Sequence, residues 1–235
     1  MKNLNWPDDF VNKIICADCN AILPMIPDEQ IGLVATDPPY NIGFTRYSDY
    51  RDDLDDEDYI NMIAELKRFP TAIIHYPEEM MSLIVPALGK PEEVMAWCYN
   101  QNMPRQFRLI NFYNCQPDFN KIKIPYKNPD DKRVQTLITN GSRGVPIYDW
   151  FSDIEIVRNV SKEKTEHPCP VPVDLMKRII SLTTEPNDIV LDPFSGSGSS
   201  LVAAKQLGRR FIGIEISPKY CRIAEDRLRQ EQLAL

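Results

Sequence analysis

Residues 34–43, VATDPPYNIG, end an apolar run on an acid, two prolines and a tyrosine. Proline fixes φ and carries no backbone donor, so such a turn is stiff and leaves nearby carbonyls available as acceptors. A carboxylate set among those carbonyls, beside an aromatic ring, can grip a flat group that carries an amine. Asp37, Pro38, Pro39 and Tyr40 are therefore the candidate catalytic residues. The plain structural alternative for Asp37 is a turn-forming Asx cap.

A second constellation lies near the C-terminus, LDPFSGSGSSLVAAKQLG. Gly196 and Gly198 let the backbone approach a ligand closely, and the helix that follows offers unpaired N–H groups. Glu215 ends the next strand, 17 residues after Gly198, where a carboxylate can accept from ribose hydroxyls. A dinucleotide fingerprint needs glycine or alanine at position 201, and Leu201 stands there. Asp192 suits a cationic group better than a pyrophosphate. S-adenosylmethionine, with an ammonium, a sulfonium, an adenine and a ribose, fits these residues. The candidate cofactor loop is Asp192, Pro193, Phe194, Ser195, Gly196, Ser197, Gly198 and Ser199, with Glu215 beyond it. A nicotinamide oxidoreductase would leave DPPY without a role.

Positioning these residues calls for strands. NKIIC (12–16), IGLVAT (31–36), TAIIHY (71–76) and EVMAWCYN (93–100) are apolar, β-branched or aromatic, and bounded by breakers. CNAILPMI supplies a helical turn or two before Pro27. In YRDDLDDEDYINMIAELKRF an acidic, solvated loop leads into a helix capped by Asp55 or Asp56, with Ile60, Ile63, Ala64 and Leu66 on or near its buried face. A further helical stretch spans about 78–88. The segment from 101 to about 160 breaks periodicity with prolines, asparagines and the turn TNGSRG. It reads as an inserted subregion within a single domain, 1–235. Regular alternation returns with a helix over 174–183, a strand over 188–192, a helix over about 199–207, a strand over 211–215 and a helix from 218. Strand–turn–helix–strand implies a parallel sheet, hence a doubly wound, mostly parallel α/β fold. Asp37 and Asp192 each follow a buried strand, and ligands in such folds gather at the strand ends beside the topological switch point.

At 235 residues with 43% hydrophobic content the chain is long enough for a substantial core. No window reaches the roughly 18 to 20 apolar residues of a membrane helix, and the N-terminus lacks the pattern of a signal peptide. A soluble intracellular protein with no membrane partner is expected. Six scattered cysteines in a chain of this length need no disulfide framework. Cys16 and Cys19 form a CxxC, but without a second pair, and with His75 and His167 off any ligand spacing, no metal is expected. Net charge is −7, yet residues 101–145 hold eight Lys and Arg against three acids, a local +5 that leaves −12 for the rest. Charge confined to one region can attract a polyanion whatever the total.

DPPY with DPFSGSGSS, in that order, resembles the DNA amino-methyltransferases, enzymes that methylate adenine at N6 or cytosine at N4. ADC (17–19), DYINMI (58–63), HPCPVPVDLMKRI (167–179) and GIEIS (213–217) resemble four further elements of that family. Catalytic motif first and cofactor loop last is its circularly permuted β arrangement. Ala17 stands where the family usually has glycine, and Val171 where it often has lysine.

The resemblance implies a Rossmann-like, S-adenosylmethionine-dependent methyltransferase fold with a target-recognition region at 101–160. It implies that Asp37 and the Pro38 carbonyl accept from the amino group of a flipped base while Tyr40 stacks on it. It places Asp192 near the cofactor's ammonium, the 193–198 loop around its backbone, Glu215 on the ribose and Asp18 near the adenine edge. Double-stranded DNA is the expected partner. Arg105, Arg108, Lys121, Lys123, Arg133 and Arg143 are candidate phosphate contacts, and base-edge readers would come from Asn102, Gln106, Asn111, Asn114, Gln116 and Arg143. Adenine is the expected target. Cytosine N4, an RNA base and a non-catalytic DNA-binding subunit are the alternatives; protein-glutamine enzymes of this kind carry Asn-Pro-Pro-Tyr, which Asp37 counts against. A homodimer and a cytoplasmic location in a prokaryotic or phage-infected cell are further expectations by analogy, and a paired restriction enzyme lies beyond the chain.

Overall fold

The computed structural model describes residues 4–47, 50–101, 104–158, 161 and 163–233. Ten strands follow in chain order: β1 (Lys13–Cys16), β2 (Leu33–Thr36), β3 (Thr71–His75), β4 (Glu93–Cys98), β5 (Phe107–Tyr113), β6 (Lys123–Ile124), β7 (Val145–Pro146), β8 (Trp150–Phe151), β9 (Ile189–Asp192) and β10 (Arg210–Glu215). Eight of them form one sheet in the order β1-β10-β9-β2-β3-β5-β4-β8; β6 and β7 make a separate two-stranded ribbon. From β1 to β3 every pairing is parallel, and β5 runs antiparallel to both β3 and β4. Parallel strands covered on both faces read as continuous apolar runs, and β2, β3 and β9 are buried at every position.

Side chains alternate across β2. Leu33 and Ala35 pack into one core with α6 (Val173–Thr183) and α7 (Ser199–Gln206), whereas Val34 packs into a second core with α1 (Cys19–Ile22) and α2 (Asp56–Ala64). Helical residues Pro77–Leu88 close that second face as α3 (Pro77–Glu79), a π-helical turn (Met80–Ile84) and α4 (Val85–Leu88). Helix α5 (Lys132–Thr139) has no buried residue, and α8 (Pro218–Leu233) ends the description. Asp55 caps α2 by accepting from the Glu57 N–H, as the acidic run suggested.

Residues 101–160 contribute to the main sheet, since β5 lies between β3 and β4 with Ile110 and Phe112 fully buried. One sequence expectation changes: the acidic loop is not solvated throughout. Asp52 is 4% exposed, and its carboxylate accepts from the backbone N–H groups of Asn41, Ile42 and Phe44 at 2.8, 3.3 and 3.0 Å. One acid of the run thus folds the loop back onto the turn after Tyr40.

If β5 is core, Ile110→Ala leaves a cavity in the core that also holds α6 and α7 and costs about 2–5 kcal/mol of unfolding free energy. Urea denaturation measures it, and a cost under about 1 kcal/mol would mark 101–160 as detachable after all.

Candidate active site

Strands β2 and β9 are hydrogen-bonded neighbours, with Leu33 opposite Val190 and Val34 opposite Leu191. From β9 the chain passes through α7 to β10 on one side; from β2 it passes through α2 to β3 on the other. This is the switch point, where diverging connections leave a crevice at the carboxyl ends of the strands. The last side chains of both strands meet there. The Thr36 hydroxyl donates to Asp192 Oδ1 at 2.7 Å, the Phe194 N–H donates to the same oxygen at 3.1 Å, and Ser200 donates to Oδ2.

The DPPY turn is held from three directions. Tyr40 donates its hydroxyl to Asp37 Oδ1, and its ring stacks on His75 with centroids 4.1 Å apart. Tyr59 donates to the Pro39 carbonyl at 2.6 Å. Since that hydroxyl proton is committed, the 3.3 Å contact between Tyr59 and His75 Nε2 is made by the imidazole N–H. Burial lowers the His75 pKa to about 3, so the ring is neutral at physiological pH. After Tyr40 the chain turns through Asn41 at φ 55°, a left-handed conformation asparagine tolerates. Burial raises the Asp37 carboxyl above its ordinary range, against the downward pull of Arg108, 3.5 Å from Oδ2, and of the Tyr40 hydroxyl.

A cavity of about 410 Å³ runs from this clamp to the end of β10. Its wall includes Asp37 and Pro39 at one end, Asp18 and Glu215 at the other, and Pro193, Phe194 and Gly196 between. Glu215 is fixed by accepting from the Gly196 and Ser217 N–H groups, each at 2.8 Å. Asp18 caps α1 through the Asn20 N–H. The lining fits an adenosine carrying a positive tail: carboxylates to accept from ribose hydroxyls, Phe194 and Ile216 against a flat ring, and the backbone at Gly196 open to close approach. At Gly196, φ is +50° and a Cβ would stand 3.0 Å from His167 Nε2; at Gly198, φ is +78° and a Cβ would stand 2.8 Å from Ala224 Cβ. Larger residues at either position would push this turn out of place.

Not every loop residue faces that cavity. Asp192, Ser195, Ser197 and Ser199 border a smaller hollow shared with Asp37 and His167. Ser195 donates to the Ile214 carbonyl, and Arg227 grips the Ser197 carbonyl and the Ser199 hydroxyl. These serines fasten the loop to β10 and α8.

The basic candidates scatter. Arg133 and Arg143 are exposed, and Lys123 reaches Asn120 at 3.3 Å. Arg105 pairs with Glu79 at 3.1 Å and lies over the Tyr76 ring. Lys121 binds the Thr184 carbonyl and Glu185 ahead of β9, at the end of the sheet opposite Asp37. Arg108 turns into the site itself. Among the expected base readers, Asn111 is buried in β5 with its amide donating to Tyr113, and Asn114 donates to the Lys67 and Phe69 carbonyls. Gln106 holds the Gln101 backbone, while Gln116 is exposed and Asn102 falls outside the described residues. Nothing in the sequence singled out His75, Tyr76, Trp97 and Tyr99, at or just after the ends of β3 and β4, which pack around Tyr40 and Arg108. Among the described residues no group of three His, Cys, Asp or Glu is placed to hold a metal, and no helix is long and apolar enough to cross a membrane.

Sheet order and switch-point cavity together define a doubly wound α/β protein with a ligand site at the carboxyl ends of its central strands. Residues 31–226 match the family model described as DNA methylase. Among known proteins, type II methyltransferase M.BglII of Bacillus subtilis is 31% identical over 94% of this chain and 69% of its own. DNA adenine methyltransferase YhdJ of Escherichia coli K12 is 30% identical over 94% and 85%. The M1.HpyAVI–SAM complex superposes with a TM-score of 0.62 at 26% identity, over 92% of this chain and 98% of that one. The cytosine-N4-specific PvuII DNA methyltransferase shares the fold, with a TM-score of 0.65 at 16% identity over 91% and 85%. The chain belongs to the DNA methylase family of N6/N4 amino-methyltransferases.

Burial raises the Asp192 pKa from 3.8 to about 6, outweighing its hydrogen bonds from Ser200 and Thr36. Between those values the folded chain holds a proton that the unfolded chain has released. Asp192 therefore makes stability fall as pH rises from about 4 to about 6, with no further effect above that. Asp192→Asn cannot ionise and is expected to flatten this slope in denaturation curves taken from pH 4 to 7; an unchanged slope would show the carboxylate to be solvated.

Proposed function

We propose that the protein transfers the methyl group of S-adenosylmethionine to the N6 amino group of an adenine flipped out of duplex DNA. The observation that carries this reading is the shared cavity: Asp37 and Glu215 wall one hollow across the switch point. Likeness to the adenine methyltransferase YhdJ over most of both chains favours adenine over cytosine.

When bound, the cofactor supplies an electrophilic methyl group on a sulfonium. Glu215 and Asp18 would hold its ribose and adenine edge, with Phe194 and Ile216 against the ring. An exocyclic amine is a weak nucleophile because its lone pair is delocalised into the base. Asp37 Oδ2 and the Pro38 carbonyl would accept its two hydrogens, drawing nitrogen toward tetrahedral geometry and aiming the lone pair. Such placement contributes roughly several kcal/mol to lowering the barrier. As the new C–N bond forms the nitrogen must shed a proton, and Asp37, its proton affinity raised by burial, stands ready as acceptor. Tyr40 and Tyr59 keep the clamp rigid through the transfer. Flipping costs a few kcal/mol of unstacking, offset by contacts in the pocket.

Labelled S-adenosylmethionine, unmethylated duplex DNA and nucleoside mass spectrometry test the reading, with an RNA sample alongside. N6-methyladenine is expected, and Asp37→Ala should lower the rate by at least about 100-fold while cofactor affinity holds. N4-methylcytosine would overturn the choice of base, and methylation confined to RNA would overturn the choice of polymer. Arg133 in α5 and Arg143 just after it, both exposed, are proposed phosphate contacts. Replacing either by alanine should weaken DNA binding about equally for all sequences and reduce the slope of log K against log salt by about 1.

A further inference from the structure

Arg108 lies near the start of β5, one residue after the exposed Phe107, and its side chain enters the site. Its guanidinium carbon stands 5.2 Å from the centre of the Tyr40 ring, 5.3 Å from Tyr76, 5.5 Å from Trp97 and 5.9 Å from Tyr99. One terminal nitrogen faces Asp37 Oδ2 at 3.5 Å. An aromatic slot ending on a carboxylate acceptor suits a planar amine. A guanidinium is also planar, edged with N–H donors and apt to stack on rings, so it meets the same walls and the same acceptor.

The fit is nonetheless incomplete. A lasting Arg–carboxylate pair is commonly two-pronged with N···O near about 2.7–2.9 Å, whereas this contact is single and longer. Arg108 Nε is buried with no hydrogen-bond partner among the described residues, while the Tyr99 hydroxyl lies against the same guanidinium. A buried donor left unpartnered marks a guanidinium that the slot does not fully satisfy. His75 covers one face of Tyr40 and Arg108 also lies over that ring, so a base stacking on Tyr40 competes with the guanidinium for it.

We infer that Arg108 is a stand-in for the target base. In the free protein it fills the base slot and donates to Asp37; a nucleobase enters only as this side chain withdraws. The inference rests on the amino-methyl transfer proposed above and adds a gate to it. Base entry becomes an exchange of one planar donor for another, so a base that cannot offer N–H donors to Asp37 fails to displace the arginine.

The test measures binding of 9-methyladenine and 1-methylcytosine to the full chain saturated with sinefungin, by calorimetry or ligand-observed NMR. Arg108→Met keeps length and loses every donor; it is expected to bind one of the two bases at least five-fold more tightly than wild type. Ethylguanidinium should compete with that base in Arg108→Ala, where the slot is vacated. Asp37→Ala should abolish the gain in both backgrounds. Equal or weaker base binding by a folded Arg108→Met with normal sinefungin affinity, including binding by neither protein, overturns the stand-in and makes Arg108 a fixed positioning residue. Methyl transfer to DNA by the wild type is scored separately, so loss of this inference is distinguishable from loss of the function it rests on.

Discussion

Everything at the site depends on β2 lying directly beside β9. That pairing brings two strand ends, distant in sequence, to one crevice, and the hydrogen bond from Thr36 to Asp192 ties them. Were another strand interposed, Asp37 would be roughly 5 Å further from the glycine loop, and clamp and cofactor walls would no longer share a cavity. Thr36 is wholly buried and Asp192 nearly so. The tie is therefore made in a low-dielectric interior, where satisfied polar contacts are rigid and broken ones are costly.

The same burial sets the chemistry. Asp37, Asp192 and Glu215 all carry proton affinities raised first by desolvation and only then trimmed by hydrogen bonds or Arg108. Carboxylates kept out of water interact strongly with whatever charge arrives. The neutral His75 lets the aromatic packing around Tyr40 form without a second cation beside Arg108. The DPPY turn is thus held by hydrogen bonds made in advance, from Tyr40 to Asp37 and from Tyr59 to the Pro39 carbonyl.

The sequence made the switch point legible because each of its strands is a short apolar run ending on an acid, and because glycines mark the loop that follows. It concealed β5. FRLINFY sits in a basic, asparagine-rich stretch, and Arg108 and Asn111 interrupt the pattern that would have announced a buried strand. Both polar residues are inside, one at Asp37 and one bonded to Tyr113. Charge count alone made Arg108 a phosphate contact; only the strand register turns it toward the clamp. Asp52 was hidden differently, as one acid among many in RDDLDDED, with nothing local to set it apart from its solvated neighbours.

The wall of the large cavity carries Asp18, Asp37, Asp52 and Glu215 against a single cation, Arg51. A surface of that sign holds a positively charged guest more firmly than the same guest once neutralised. Transfer of a methyl group from a sulfonium leaves a neutral thioether behind. With the cofactor seated as proposed, the reaction weakens the hold on its own by-product, and the same carboxylates serve turnover twice, first in capture and then in release.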